Sequence, residues 1–329
     1  MTIRSERNLS LDILKVVLSI MVIGLHANFL IEIDKFSSFL FVNGLFRIAV
    51  PIFFIINGYF FYPLVANAQG KSNPKIKSWF ERVLILYAVW TSVYLIFWLP
   101  LLSFNPHGIA MFIKTIFIGY YHLWYLPALL LAAFMFKALH QNLKDIYILA
   151  LMFVCFCTGV GIDYVGNYNV FGGTTLDKVF DEVWVHRNFL FSGFPFFGLG
   201  WFLRKQGWGE KASFKMVATM AVVTLGLLFL ESGVNYKLMN KYEGFDNYLS
   251  LALVCPAIFM FVSRINMPSS MKYVSQYSSA LYFVHVLFVI GFSEFSAGRG
   301  TVLTLIAVGL SVVAAFILVA LNKRLKYII

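Results

Sequence analysis

Two ionisable residues lie inside the first apolar stretch of this sequence. Residues 11–31 read LDILKVVLSIMVIGLHANFLI, a run long enough to cross a bilayer as a helix. Lys15 lies near its start and His26 follows about three turns later, so both fall on roughly one helix face, about 16 Å apart. Ionisable groups are costly in hydrocarbon and usually mark a functional site there. The pair predicts chemistry within the membrane, with His26 as a general base, although a buried histidine bonded to a neighbouring helix is the simpler alternative.

Further polar residues recur in the apolar segments. The residues concerned, named below, could all be structural. An arginine at the end of a span can extend its side chain to the membrane surface, and aromatic side chains form belts at the interface. A stripe of polar residues can hydrogen-bond to a packed neighbouring helix. The functional interpretation is a cavity around His26 that holds a substrate. His285, at mid-depth in the predicted span 276–294, favours this interpretation because it adds a second imidazole to the membrane interior. The candidate substrate-binding residues are Arg47, His122, Trp124, Arg187, Tyr282 and His285.

A third group of candidates is basic and lies at one end of a span. Lys75, Lys77 and Arg82 precede or open the third predicted span. The tendency of basic residues to stay on the cytoplasmic side is enough to explain them. The functional alternative is a basic funnel that attracts a phosphorylated ligand from the cytosol.

The composition predicts an all-α, polytopic transmembrane bundle. The chain is 60% hydrophobic and 12% charged, which excludes a soluble domain. No repeat or low-complexity linker divides residues 1–329, so we expect one membrane domain, with a first span that is retained because it is too long for a signal-peptide core. About ten spans are predicted, at 11–31, 42–63, 79–101, 122–139, 145–160, 187–204, 215–232, 247–264, 276–294 and 301–321.

The distribution of charge predicts the orientation of these spans. With ten spans and a cytoplasmic N-terminus, 18 of the 26 basic residues fall on the cytoplasmic side. Both termini are therefore expected in the cytoplasm. The net charge of +11 is read as orientation and not as nucleic-acid binding. The segment 108–120 is apolar but short, and is expected to be interfacial or re-entrant.

Four segments, taken in order, resemble the membrane-bound acyltransferase family 3. Lys15 and His26 match the Arg/Lys-x10-His signature of that family. FRIAVPIFFIINGYFF resembles its VPxFFxxSGY segment, with Asn57 where Ser is usual, HLWYLPALL resembles its HLWFL segment, and SALYFVH resembles its late iYliH helix. Lys15 replaces a more common arginine, which keeps the charge and loses the bidentate fork.

The resemblance implies transfer of an acyl group, usually acetyl, from acyl-CoA to a hydroxyl of a cell-surface or lipid-linked sugar, such as that of an O-antigen, at the bacterial cytoplasmic (inner) membrane. Acetyl-CoA is then the donor, and membrane lipid and a glycan acceptor are the partners; neither a metal nor a nucleic acid is implied. The donor phosphates would meet Lys15, Lys75, Lys77 and Arg82. His26 would deprotonate the acceptor hydroxyl, or carry the acyl group transiently, while Arg47 and His122 hold the acceptor or the developing oxyanion.

Two other functions suit the same residues. A transporter or flippase for a lipid-linked sugar or acyl compound would use the intramembrane His and Arg as a substrate pathway, although the sequence shows no inverted repeat. A glycan polymerase or ligase would be expected to carry a large outer loop, whereas the longest outer connection predicted here is 161–186. Neither alternative predicts dependence on acetyl-CoA.

Overall fold

A computed structural model of the chain describes residues 7–67, 73–99, 103–238, 244–265, 267–269, 273–293, 298–325 and 327–329. These residues form a helical bundle, which confirms the predicted all-α membrane fold. One two-residue antiparallel pair, β1 (Arg7–Asn8) with β2 (Pro268–Ser269), joins the start of the first helix to the approach to a late one. We call the end of the bundle where the first helix begins the Lys15 end, and the opposite end the His26 end.

The first half of the chain crosses the bundle repeatedly, and local sequence sets several helix starts. The side chain of Asn105 caps a helix that has Pro106 at its first position, and Asn8 caps the first helix in the same way. The helices are α1 (Leu9–Ala27), α2 (Lys35–Ser38), α3 (Ala49–Ala66), α4 (Pro74–Val93), α5 (Leu95–Trp98), α6 (Pro106–Ile118), α7 (Tyr125–Asn142) and α8 (Asp145–Tyr168).

The second half of the chain, within the described residues, forms eight further helices, some long and some short. They are α9 (Thr175–Phe180), α10 (Val183–His186), α11 (Phe194–Gln206), α12 (Trp208–Lys211), α13 (Phe214–Leu238), α14 (Leu251–Arg264), α15 (Tyr273–Ser293) and α16 (Thr301–Asn322). Irregular turns link some of these helices directly. They are π-helical at Phe39–Gly44 and Phe189–Gly193, and of the 3₁₀ type at Leu45–Ile48 and Tyr121–Trp124.

Within the described residues, seven helices are long and apolar enough to cross a membrane, so the predicted count of ten is not confirmed. The other three predicted spans are helices of a different kind. Helix α4 has 20 residues and carries several charges, whereas α11 and α14 have only 13 and 14 residues, short of the roughly 20 that a bilayer requires. Residues 100, 101 and 294 of the predicted spans lie outside the described residues. The seven are Leu9–Ala27, Lys35–Ala66, Tyr121–Asn142, Asp145–Tyr168, Phe214–Leu238, Tyr273–Ser293 and Thr301–Asn322.

Close packing of two helix pairs places the interior residues. Helices α3 and α11 cross at Gly58 and Gly200, where a Cβ on either glycine would overlap a backbone carbonyl of the facing helix. Small residues permit this approach in membrane bundles. Helices α1 and α15 meet at Ser19, whose Oγ lies 3.0 Å from the carbonyl oxygen of Ser278. This contact sets α1 beside α15 along the length that carries the candidate site.

Candidate active site

Three imidazoles from three separate segments meet near the His26 end. The ring of His26, in the last turn of α1, stacks on the ring of His285 in α15 with centroids 5.4 Å apart. The ring of His122 lies 4.8 Å from that of His285. The ring of Tyr121 covers another side of His26 at 4.7 Å. The structure thus brings together histidines that the sequence separates by up to 259 residues.

Hydrogen bonds to backbone fix two members of this cluster. The hydroxyl of Tyr282 donates to the carbonyl oxygen of His122 at 2.8 Å. His285 Nδ1 lies 2.6 Å from the carbonyl oxygen of Tyr282, and because a carbonyl only accepts, Nδ1 carries the proton. Within the described residues, the buried Nε2 of His285 and both ring nitrogens of His122 have no hydrogen-bond partner. The cluster therefore offers imidazole nitrogens that can exchange a proton with a substrate.

A cavity of about 550 Å³ opens beside His26, and we call it the His26 cavity. It continues into a wide opening of about 1250 Å³, which shares His26, Arg47, Arg187 and Asp246 with it. Most of the predicted substrate-binding residues lie in the wall of the His26 cavity. The lining includes His26, Arg47, His122, Trp124, Arg187, Asp246 and Tyr282.

Two arginines in this cavity share one carboxylate. Arg47 and Arg187 both bond to Asp246 Oδ1, the latter at 2.9 Å. Arg47 also donates to Asn43 Oδ1 at 3.0 Å, and the guanidinium of Arg187 lies 5.2 Å from the ring centre of Trp124. Burial raises the pKa of Asp246, but Arg187 and Arg47 outweigh this effect and bring that pKa down to about 2. Asp246 thus stays ionised and fixes both guanidinium groups.

The segment that carries Asp246 is itself held by two carboxylates, one buried (Asp163) and one partly exposed (Glu231). Asp163, in α8, accepts from the backbone N–H groups of Asp246 and Asn247 at 2.9 and 2.6 Å. Glu231, in α13, accepts from those of Leu249 and Ser250, both at 2.8 Å. His186 Nδ1 lies 3.7 Å from Asp163, and burial lowers the pKa of this histidine. The arginines are therefore positioned by a rigid network and not by exposed ion pairs.

A second cavity, of about 970 Å³, lies toward the Lys15 end, and we call it the Lys15 cavity. Lys15 lies 3.2 Å from Asp12 and 3.4 Å from the hydroxyl of Ser275, and its side chain is 20% exposed. The wall is largely apolar, and the basic, hydroxyl and amide groups within it suit an extended ligand that carries negative charge. The lining includes Lys15, Asn57, Arg82, Tyr125, Ser275, Ser278 and Ser279.

Tyr282 belongs to both cavities. It lines the His26 cavity on one side and the Lys15 cavity on the other. Its ring lies 5.7 Å from that of Phe53 and 5.8 Å from that of Tyr125, two other aromatic residues in the wall of the Lys15 cavity. Ligands that enter from opposite ends of the bundle would therefore meet at Tyr282.

The remaining predicted residues divide between the two ends. Arg82 lines the Lys15 cavity, whereas Lys75 and Lys77 are exposed at the start of α4 and are absent from the lining of that cavity. Lys77 instead lies 3.6 Å from Glu81 in an exposed pair. Among the described residues, no group of three or more His, Cys, Asp or Glu side chains could hold a metal.

Sequence reasoning missed Asp246, Asp163 and Glu231. In the sequence they appear only as acids on the same side as Arg47, and nothing pairs them with a particular cation. The one local signal is Glu231, which lies inside the predicted span 215–232, whereas Asp163, 1% exposed in the structure, follows the predicted span 145–160. An acid inside a predicted span is by itself a reason to expect a buried partner.

The fold and the site together define a multi-pass membrane protein with a polar interior. A family model described as an acyltransferase domain matches residues 8–321, nearly the whole chain. The chain therefore belongs to acyltransferase family 3, as the sequence motifs predict.

The curated relatives that this chain matches are named as racemases and not as acyltransferases. The chain is 26% identical over 304 residues to a serine/alanine racemase of Enterococcus gallinarum, a match that covers 87% of this chain and 41% of the relative. It is 25% identical over 293 residues to an amino-acid racemase of Enterococcus faecalis, covering 85% of this chain and 41% of the relative. The chain thus spans about two fifths of the length of these curated relatives. No solved structure matches it.

Proposed function

We propose that the protein is an O-acetyltransferase that moves an acetyl group from cytosolic acetyl-CoA to a sugar hydroxyl of a cell-surface or lipid-linked polysaccharide, such as an O-antigen. It would act in the bacterial cytoplasmic membrane with both termini in the cytoplasm. The supporting observation is the pair of cavities that approach Tyr282 from opposite ends of the bundle. An enzyme with its donor on one side of a membrane and its acceptor on the other requires this arrangement.

The Lys15 cavity suits the donor. Lys15 and Arg82 lie in its wall and would meet phosphates of the CoA moiety, while the serine hydroxyls of α15 would contact the chain that carries the thioester. Lys75 and Lys77, exposed at the same end, would attract the anionic donor at longer range. Lys15 lies about 16 Å below His26 by helix rise, so it would bind the far part of an extended donor and not the acetyl group.

The His26 cavity suits the acceptor and the chemistry. His26 would take the proton of the sugar hydroxyl as its oxygen attacks the acetyl carbonyl. The new C–O bond forms, the C–S bond breaks, and the proton passes to the departing CoA sulfur. Arg47, Arg187 and His122 line the same space and would stabilise the oxyanion or hold the sugar, with Trp124 as an apolar wall. A transient acetyl-histidine at His26 would use the same groups in two steps.

Transport of a lipid-linked sugar or acyl compound is the second candidate. The same observation favours it, because cavities that open to opposite ends and are divided by a thin layer also suit alternating access. Transport would need no acetyl-CoA. Racemisation is not proposed, because the match leaves more than half of each named racemase uncovered.

Transfer of labelled acetyl from acetyl-CoA to glycan in membranes distinguishes these candidates. The membranes carry the wild type, His26→Ala or, as a matched control, His140→Ala. His140 lies near the Lys15 end of α7, with its ring 4.9 Å from that of Trp201. We expect transfer by the wild type and the control, and a loss of about 10²- to 10⁴-fold in His26→Ala at equal expression.

Each other outcome has one meaning. Absence of transfer by the wild type with a competent acceptor pool would contradict the acetyltransferase and favour transport. Equal transfer by His26→Ala would keep the enzyme but remove His26 from the chemistry.

A further inference from the structure

We propose that a groove beneath α6 binds the apolar chain of a lipid-linked acceptor and guides its sugar laterally to His26. This inference rests on the proposed function and narrows its acceptor to a lipid-linked glycan. The groove has a volume of about 1010 Å³. We call it the α6 groove, and its wall includes Trp98, Met111, Phe112, Ile118, Tyr120 and Tyr121.

Helix α6 presents an exposed apolar face in addition to the face that lines the groove. It is 13 residues long, too short to span a bilayer. Ile109, Ile113, Ile116 and Phe117 follow i, i+4, i+7 and i+8 spacing and are 48, 50, 38 and 73% exposed. Such a face in a membrane protein lies against lipid. The groove on the other side of α6 is therefore within reach of a lipid chain from the bilayer.

The α6 groove is continuous with the candidate site. Tyr121 lines both the groove and the wide opening of the His26 cavity, and its ring lies 4.7 Å from that of His26. The backbone shapes this junction: Gly119 has φ of 101°, and a Cβ there would overlap the backbone of Trp124. A molecule with its tail in the groove would therefore have its head beside His26.

Charged groups border the groove and the opening where such a molecule would carry its phosphate. Lys114 lines the groove and Arg299 lines the wide opening. Lys114 lies 3.4 Å from Glu182 in a partly exposed pair, which contributes little free energy and can exchange for a phosphate. The buried indole N–H of Trp98 has no hydrogen-bond partner in the described part of the chain. The α6 groove would therefore hold the apolar tail, Lys114 and Arg299 the anionic linker, and the His26 cavity the sugar hydroxyl.

Photo-crosslinking tests the groove without any catalysis. The probe is a polyprenyl diphosphate that carries one N-acetylglucosamine and a diazirine in its isoprenoid chain, added to the full-length protein in nanodiscs without acetyl-CoA. We expect labelled peptides from α6 and from the Trp98 segment, and loss of label with excess polyprenyl phosphate but not with phosphatidylglycerol. Equal competition by both lipids would show that the groove binds ordinary bilayer lipid, which would overturn the proposal. Labelling only outside these two segments would also overturn it.

A matched pair of α6 variants tests the role of the groove in transfer. Met111→Trp fills the groove, and Ile113→Trp places the same ring on the lipid face; the two positions are 45 and 50% exposed. We expect Met111→Trp to raise KM for the lipid-linked acceptor at least tenfold more than it raises KM for a water-soluble glycan that carries no lipid. Equal effects in the two variants, or an equal loss with both acceptors, would overturn the proposal.

Failure of the proposed function is distinguishable from failure of the groove. If the wild type crosslinks in the groove but transfers no acetyl to either acceptor, the acetyltransferase activity is contradicted and binding of the lipid-linked ligand in the groove is supported. If it acetylates both acceptors and crosslinks elsewhere, the proposed acetyltransferase activity is supported and the proposed lipid-binding role of the groove is contradicted.

Discussion

The two cavities of the bundle differ in how firmly their polar groups are held. In the His26 cavity, one carboxylate, Asp246, binds two arginines, and Asp163 fixes the backbone beneath it. In the Lys15 cavity, Lys15 makes longer contacts with Asp12 and the hydroxyl of Ser275, at 3.2 and 3.4 Å. The first cavity thus holds its charged groups in a network with a shared counterion, whereas the second holds its lysine by longer contacts.

This difference fits the two tasks that we propose. Electrostatic stabilisation of a transition state depends on groups that are fixed before the reaction, which the network around Asp246 provides. A long, flexible donor needs charge and hydroxyl groups but little fixed geometry. Substitutions in the two cavities should therefore change different kinetic parameters, and the effects should decrease from the rigid network to the exposed lysines.

The largest effect is expected for Asp246→Asn. Removing this charge leaves Arg47 and Arg187 without their shared counterion, and breaking such a partly buried network typically costs about 3–5 kcal/mol. We expect a lowered unfolding temperature in detergent and loss of transfer. Glu81→Gln, in the exposed pair with Lys77, is the control and should change neither property. A stable, active Asp246→Asn enzyme would show that the network does not position the arginines for catalysis.

The next effect is expected for Lys15→Ala. Loss of one charge-assisted contact to a phosphate, about 1.5–3 kcal/mol, should raise KM for acetyl-CoA about 10- to 100-fold with little change in kcat. Lys15→Arg retains the charge and should stay within a few fold of the wild type. Initial rates at varied acetyl-CoA measure this split, and a fall in kcat at unchanged KM would place Lys15 in the chemistry instead.

A smaller effect is expected for Tyr282→Phe. The variant keeps the ring between the cavities and removes the hydroxyl that donates to the carbonyl oxygen of His122. A net hydrogen-bond contribution of about 1 kcal/mol corresponds to roughly a fivefold fall in kcat. Tyr94→Phe is the matched control, because its hydroxyl donates to the Phe283 carbonyl oxygen at 2.6 Å and Tyr94 lines neither cavity. Equal falls in both variants would indicate a general packing effect.

The smallest effect is expected for Lys77→Ala. This residue is exposed and its pair with Glu81 is of the kind that contributes about 0–1 kcal/mol. KM for acetyl-CoA should change by less than about threefold at physiological salt, and by more at low salt, where charges act at longer range. An increase equal to that of Lys15→Ala would place the donor phosphates at the start of α4 and not in the Lys15 cavity.

The sequence predicts the helical class of the fold and most of the residues around His26. Their motifs carry this information, because each lies at a fixed place within one apolar segment. The residues Asp246 and Asp163 escape prediction, since they act through contacts between segments far apart in the chain.

The number of spans escapes prediction for a different reason. Hydropathy counts apolar residues but not helical rise, so it does not detect that Phe189–Gly193 is π-helical and leaves α11 with only 13 residues. It also does not separate an apolar stretch from the charged start of α4. In the same way, the basic residues predict an orientation in the membrane, but they do not predict that Arg82 lines a cavity while Lys75 and Lys77 lie outside it.

The most direct test of the two-cavity arrangement is the sidedness of transfer in sealed vesicles of known orientation. Labelled acetyl-CoA is placed on one side and the glycan acceptor on the other, in both combinations. We predict acetylated glycan only when acetyl-CoA faces the Lys15 end and the acceptor faces the His26 end. Transfer only when both substrates share one side would contradict passage of the acetyl group between the two cavities at Tyr282.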